Sequence, residues 1–336
     1  MTGTARITLL ACVIVLLLGL FIPIASAQTE TSGTATGATT TPATPAPFQK
    51  TYGAPSGLHD TALALEGLFK QKKYADAHAL CKQGFEAAAD DETRAFFLRY
   101  DAETYMEERS PECEPLLKKV IEQFAQTTQA SWAKMDLAEA YVHAALVIGN
   151  TEHYVSLALP LFDDFINNNP KHEKIARAYW WRAGLYERLE NYQAALADYQ
   201  KAADLYPTYP NGNECLMGAI KMLQKFQRWD DAITYARRYI ELLPGSSPAP
   251  AQLSIGFSCA GKGDLAQAIQ EFDKVLSQYP DARDQCAQAL FQKGLALKAL
   301  GQLDAARSAF EQLARDYPDQ NLAAQAKQQL DLLAAQ

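Results

Sequence analysis

From residue 58 onward, large and small apolar residues recur at spacings of three and four, which is the periodicity of one face of an α-helix. The interval that ends at Pro207 shows the pattern clearly. One stripe begins at Tyr179, a polar turn follows at Glu190 and Asn191, and a second stripe begins at Tyr192. The pattern predicts pairs of helices joined by short turns, and no run of alternating β-branched residues indicates a sheet.

The pattern repeats with a nearly constant period. Prolines able to stop the second helix of each pair stand 36 to 38 residues apart, at Pro170, Pro207, Pro244, Pro280 and Pro318. A single pair would leave one apolar face bare, so the pairs are expected to stack. The predicted units are about 58–92, 94–127, 130–171, 176–208, 213–245, 249–281 and 287–319, and a capping helix follows at 321–336.

The last unit carries the residues that connect this pattern to a known family. Gly294, Ala306, Phe310 and Pro318 stand where the tetratricopeptide repeat has its characteristic residues, and the chain resembles that superfamily over about 58–320. The resemblance implies an all-α, right-handed solenoid of about seven helix-turn-helix repeats. The run AARSAFEQLARDYP, ending at Pro318, is similar to repeats of bacterial periplasmic proteins of the Tol–Pal-associated cell division coordinator and outer-membrane-assembly lipoprotein types. Both imply scaffolding in the cell envelope without catalysis.

The first 57 residues have a different character. Arg6, an apolar run over 7–22 and the small residues Ala25 and Ala27 predict a signal peptide over 1–27 and an exported, periplasmic or otherwise extracytoplasmic protein. An uncleaved inner-membrane anchor through 7–24 is the alternative, and a lipoprotein acylated at Cys12 is a further one. Residues 28–57 are rich in Thr, Ala and Pro and predict a disordered linker.

Composition and motifs exclude several functional classes. The net charge of −8 and the lack of a basic cluster argue against nucleic acid as a partner. The five histidines show no metal-ligand spacing, so neither metal nor cofactor is expected. The segment 256–263 falls one residue short of a phosphate-binding P-loop, with Gly263 where Ser or Thr would ligate magnesium, and it is interpreted as the turn between two helices.

The sequence favours a non-enzymatic adaptor that binds proteins of the envelope, with no small-molecule substrate. One alternative is a structural spacer on a flexible tether. The other is an enzyme whose activity lies in the irregular region 107–170, near the long turn at Gly149 and Asn150.

The predicted binding site is the concave surface formed by the first helix of each pair. Aromatic residues interleaved with Lys and Arg are typical of surfaces that anchor a peptide, although either tryptophan could instead belong to the core. The predicted groove residues are Arg177, Trp180, Trp181, Arg188, Met217, Lys221, Lys225, Leu253, Phe257, Phe291, Leu295 and Lys298.

Five cysteines remain after the predicted signal: Cys81, Cys113, Cys215, Cys259 and Cys286. An odd number cannot all pair within one chain. Cys81 and Cys113 fall on corresponding helices of adjacent units. A bridge there is disfavoured, because packed helix axes lie about 8–10 Å apart and a disulfide needs Cα atoms within about 7 Å. The other cysteines are interpreted as small apolar side chains that pack in the core.

Overall fold

The computed structural model describes residues 53–148, 151–242 and 247–334, and within these ranges it contains fifteen helices and no strand. The predicted signal peptide, residues 28–52 of the linker, and the turn at Gly149 and Asn150 lie outside the described residues. The helices are α1 (His59–Lys70), α2 (Tyr74–Ala87), α3 (Asp91–Glu107), α4 (Cys113–Gln123), α5 (Thr128–Ile148), α6 (Thr151–Asn168), α7 (Ile175–Arg188), α8 (Tyr192–Leu205), α9 (Gly212–Lys225), α10 (Trp229–Leu242), α11 (Ala249–Lys262), α12 (Leu265–Gln278), α13 (Arg283–Ala299), α14 (Leu303–Asp316) and α15 (Asn321–Ala334).

The helices form seven antiparallel pairs and a final single helix, α15, which packs on the last pair. Each first helix, from α1 through α13, also contacts the first helix of the next pair, or α15 at the end. No such contact joins successive second helices in the described ranges. The first helices therefore lie side by side while the second helices splay apart, which places the first helices on the concave side of the stack. The predicted α-solenoid is confirmed.

Small residues at the contact between paired helices allow close packing. Ala268 and Ala306, each in the first turn of a second helix, are fully buried. A Cβ at Gly294 would come within 2.5 Å of the Phe310 ring, and one at Gly256 within 2.4 Å of the Phe272 ring. These glycines are present because the facing aromatic ring occupies the space that a side chain would need.

Six of the seven pairs have an internal turn within the described residues, and these six turns share one conformation. The residue just after the first helix, or two residues after it, has a left-handed backbone in six of the pairs, with φ between 57° and 91°. The next amide donates to a carbonyl five residues earlier, as from Asn191 to Tyr186 and from Arg228 to Leu223, both at 2.8 Å. This is the Schellman arrangement that ends a helix. The six residues are Lys72, Arg109, Glu190, Gln227, Gly263 and Gly301.

The P-loop-like segment is part of this regular structure. Residues 256–262 belong to α11, and Gly263, at φ 91°, is the left-handed residue of the turn before α12. Lys262, the last residue of the helix, pairs with Asp230 of α10 at 2.6 Å. The segment is the end of a helix and its turn, as predicted.

All five cysteines after the predicted signal are free thiols, and four of them are buried. Cys81 lies within α2 and Cys113 begins α4, two second helices that make no contact with each other in the described structure. Among the described helices, none combines the length and the apolar character that a membrane crossing requires.

Candidate functional site

The candidate site is the concave surface of α5, α7, α9, α11 and α13. Its most apolar part lies where α5 meets α7. The rings of Trp180 and Trp181 lie 4.5 Å apart, and the Trp181 ring is 5.4 Å from that of His143 in an edge-to-face arrangement. Leu146 and Val147, one turn further along α5, are exposed. Both indoles are half-buried and pack on the core, so each belongs to the core and to the surface.

Gly184 leaves an open space beside this aromatic group. It lies in the middle of α7, one turn after Trp180 and one turn before Arg188. A Cβ built there would meet no atom within 4 Å. Glycine inside a helix is destabilising by about 1 kcal/mol relative to alanine. No neighbouring atom in the described structure is close enough to exclude a larger residue at this position. The gap gives a partner's backbone room to approach α7 closely.

The indole N–H of Trp181 is buried without a hydrogen-bond acceptor in the described structure. An unmade hydrogen bond of this kind is unfavourable by about 1–3 kcal/mol, so an acceptor that reached it would stabilise the complex. Burial also lowers the pKa of His143, with the nearby Arg177 adding to the effect and Glu139 opposing it. The aromatic group is therefore largely uncharged at neutral pH.

Cationic side chains follow the carboxyl ends of the first helices, where they complement the helix dipole. Arg188 ends α7 and is exposed, and Lys225 ends α9 with its Nζ 3.9 Å from the centre of the Tyr192 ring. Lys221 pairs with Glu187 at 2.5 Å, and Lys298 donates to Gln329 of α15 at 3.0 Å. The concave surface thus has an apolar middle and a basic edge.

Comparison with known proteins places this geometry in a family. Residues 155–210 match the family described as tetratricopeptide repeat. The structure of the C-terminal part of a TPR repeat-containing protein from Cytophaga hutchinsonii superposes with a TM-score of 0.57 and 14% identity, covering 78% of this chain and 98% of that one. Residues 155–210 match the tetratricopeptide repeat itself, and the described chain has the fold of a tetratricopeptide repeat solenoid.

Other comparisons match overlapping parts of the chain. Residues 190–330 match the family described as T7SS, ESX-1 secretion system protein EccA1, N-terminal domain. PilW, described as a widely conserved type IV pilus biogenesis factor, has a TM-score of 0.47 and 19% identity over 69% of this chain and 97% of its own. YrrB, described as a TPR protein with an unusual peptide-binding site, has a TM-score of 0.45 and 21% identity over 63% of this chain and 97% of its own. No curated protein sequence matches the chain significantly.

The tetratricopeptide repeats place two predicted groove residues differently. Leu253 is 4% exposed and Phe291 is 8% exposed, and both lie in the core instead of on an open surface. The prediction projected each first helix outward from its own pair, but both side chains belong to the buried core, and the Phe291 ring packs edge-to-face on that of Phe310 in α14, 5.8 Å away. Phe257, Met217 and Leu295 are half-buried and pack against the core with part of each side chain accessible.

An ionic network that the sequence analysis did not predict joins successive first helices. Arg99 of α3, only 1% exposed, donates to Asp136 of α5 at 3.0 Å, and Lys174, just before α7, donates to the same carboxylate at 2.6 Å. Arg177 of α7 pairs with Glu139 of α5 at 2.6 Å. The two partners of each ion pair are 37 or 38 residues apart, which is the length of one repeat. Only an alignment of the repeats by charge would therefore have revealed these pairs.

Proposed function

We propose that this chain is an exported, non-catalytic scaffold of the cell envelope that holds a segment of another protein on its concave surface. Tetratricopeptide repeats generally mediate protein–protein interactions. The observation that carries the proposal is the open space at Gly184 beside Trp180 and Trp181, because no atom of the described residues requires that space to stay empty. Export rests on the predicted signal peptide at 1–27, and the envelope role rests on the resemblance of the last repeats to periplasmic proteins.

Charge and shape favour a protein as the occupant. The chain carries a net charge of −8, which disfavours nucleic acid. The concave surface extends across several first helices instead of closing into a pocket, and half-buried aromatic and arginine side chains commonly dominate the binding energy at protein interfaces. An extended or helical segment can cross the gap at Gly184 and contact the indoles on one side and the basic edge on the other.

The substitution Gly184→Leu tests this proposal. The new side chain meets no described atom at its Cβ and improves helix propensity, so the free energy of unfolding should rise by about 0.5–1 kcal/mol. The same side chain fills the gap, so capture of envelope proteins cross-linked to the full chain in cells should fall at least tenfold, as measured by quantitative mass spectrometry.

Gly67→Leu is the matched control. Gly67 also lies inside a first helix, α1, with no atom within 4 Å of a built Cβ. It should raise stability similarly and leave the captured proteins unchanged. If Gly184→Leu is stable and captures the same partners in the same yield as the unmodified chain, the concave surface at α7 is not the binding site. A structural spacer would give that result.

A further inference from the structure

Successive first helices of the described structure are joined by ion pairs from α3 to α9. Arg99 and Asp136 join α3 to α5, Glu139 and Arg177 join α5 to α7, and Glu187 pairs with Lys221 between α7 and α9. In each case a carboxylate on the concave side receives a cation from the adjoining repeat. Carboxylates held in this way are stabilised by charge-assisted hydrogen bonds.

The series ends at Glu214. This residue occupies in α9 the position that Arg177 occupies in α7, 37 residues earlier, and the corresponding position one repeat later, 36 residues on, is Pro250, which carries no charge. Glu214 Oε2 is buried, and it has no hydrogen-bond partner in the part of the chain that the structure describes. The helix dipole favours a carboxylate in the first turn of α9, but it does not supply a donor to that oxygen.

We infer that Glu214 receives a cationic side chain, Lys or Arg, from the partner segment bound on the concave surface. This inference rests on the proposed function and names the chemistry of its occupant. A half-buried carboxylate without a counter-ion is unfavourable, and a guanidinium or ammonium group would complete the series of ion pairs. Trp180 and Trp181 lie on the adjoining helix α7, and aromatic faces attract cationic side chains.

The charge pattern of the surface assigns a direction to the segment. Its basic residue lies at the amino ends of the first helices, where Glu214 is. Its apolar and any acidic residues lie over Gly184 and toward Arg188 and Lys225, at the carboxyl ends. The partner is therefore expected to carry a Lys or Arg followed or preceded by apolar residues, and not a run of acidic residues alone.

Two capped pentapeptides test the inference on the purified full chain. One is acetyl-Gly-Leu-Arg-Leu-Gly-amide, and the other has Glu in place of Arg. Isothermal titration or NMR titration should show the Arg peptide binding about tenfold more tightly or better, because a hydrogen bond to a charged group contributes about 1.5–3 kcal/mol, and each 1.4 kcal/mol is a factor of ten. Glu214→Gln should abolish the preference, and Glu214→Lys should reverse it.

The control is Glu241→Lys, an exposed glutamate on α10, the second helix of the same repeat. It changes the net charge equally and should leave the preference intact. Circular dichroism and melting curves establish that every variant is folded, and Glu214→Gln keeps the test decisive if the Lys variant does not fold. The inference fails if the Arg peptide shows no preference for the unmodified chain, if neither peptide binds at millimolar concentration, or if Glu241→Lys has the same effect.

A cation from the chain itself is the other possible source. Lys50 lies outside the described residues, three positions before Gly53, whose carbonyl accepts a hydrogen bond from Gln129 of α5 at 2.6 Å. If the Arg peptide binds only after Lys50→Ala, the cation at Glu214 belongs to this chain and the inference about a partner is wrong. If the Glu214 variants leave peptide preference unchanged while Gly184→Leu still reduces partner capture, the proposed function stands and this inference alone fails.

Discussion

Buried charge is the main feature at the scale of single residues. Arg99 contacts Asp136, Gln129 and Glu103, and its guanidinium lies 5.0 Å from the centre of the Trp132 ring. Removing one member of such a group leaves the others uncompensated, which typically destabilises a protein by about 3–5 kcal/mol. The group therefore joins the second and third repeats strongly and is intolerant of substitution.

Glu103 gives this group a dependence on pH. Burial raises the pKa of Glu103 to about 7, against the attraction of Arg99, from an ordinary value of 4.5. Because the folded state holds this proton more tightly than the unfolded state, its contribution to stability is complete below about pH 4.5 and is lost as pH rises toward 7.

Glu103→Gln should remove that decline. The difference in the free energy of unfolding between the variant and the unmodified chain, measured by urea denaturation, should change steadily between pH 4.5 and 7 and become constant above that range. Glu122→Gln, at an exposed position of α4, is the control and should give a difference that does not vary with pH. A constant difference for Glu103→Gln would show that this carboxyl titrates normally in the folded chain.

At the scale of the helical pair, the left-handed turn position is where the residue type most directly affects stability. Four of the six left-handed turn positions hold residues with a side chain, such as Gln227, whereas Gly263 and Gly301 hold glycine. A left-handed backbone costs a residue with a Cβ about 1–2 kcal/mol, and glycine avoids that cost.

Gln227→Gly should therefore raise the free energy of unfolding by about 1 kcal/mol, and Gly263→Ala should lower it by a similar amount. Thermal and urea denaturation measure both changes, and the two turns serve as controls for each other because their hydrogen bonds are alike. If both substitutions changed the free energy of unfolding in the same direction, the assignment of this turn geometry would be contradicted.

The sequence predicted this level of structure well because its causes are local. The spacing of apolar residues, the alanines of the second helices and the prolines two residues beyond α8, α12 and α14 depend on one pair at a time. The ion pairs of Arg99 and Arg177 depend on how one repeat packs on the next. That relation spans 37 or 38 residues, and local periodicity contains no information about it.

At the scale of the whole molecule, the stacking of first helices creates one continuous concave surface and leaves the second helices on the outside. The surface has an aromatic middle at α5 and α7, a basic edge at the carboxyl ends of the first helices, and an unpaired carboxylate at Glu214. No single repeat contains all three, so binding a partner would require several intact repeats in register.

Site-specific photo-cross-linking in cells is the most direct test of whether a partner occupies the concave surface. A photoreactive phenylalanine analogue is placed at Arg188, exposed on the concave surface at the end of α7, and in a separate strain at Glu241, on the convex surface. A partner held on the concave surface should give a discrete protein adduct from position 188 and none from position 241. Adducts of equal yield from both positions, or an adduct from position 241 alone, would contradict a partner held on the concave surface.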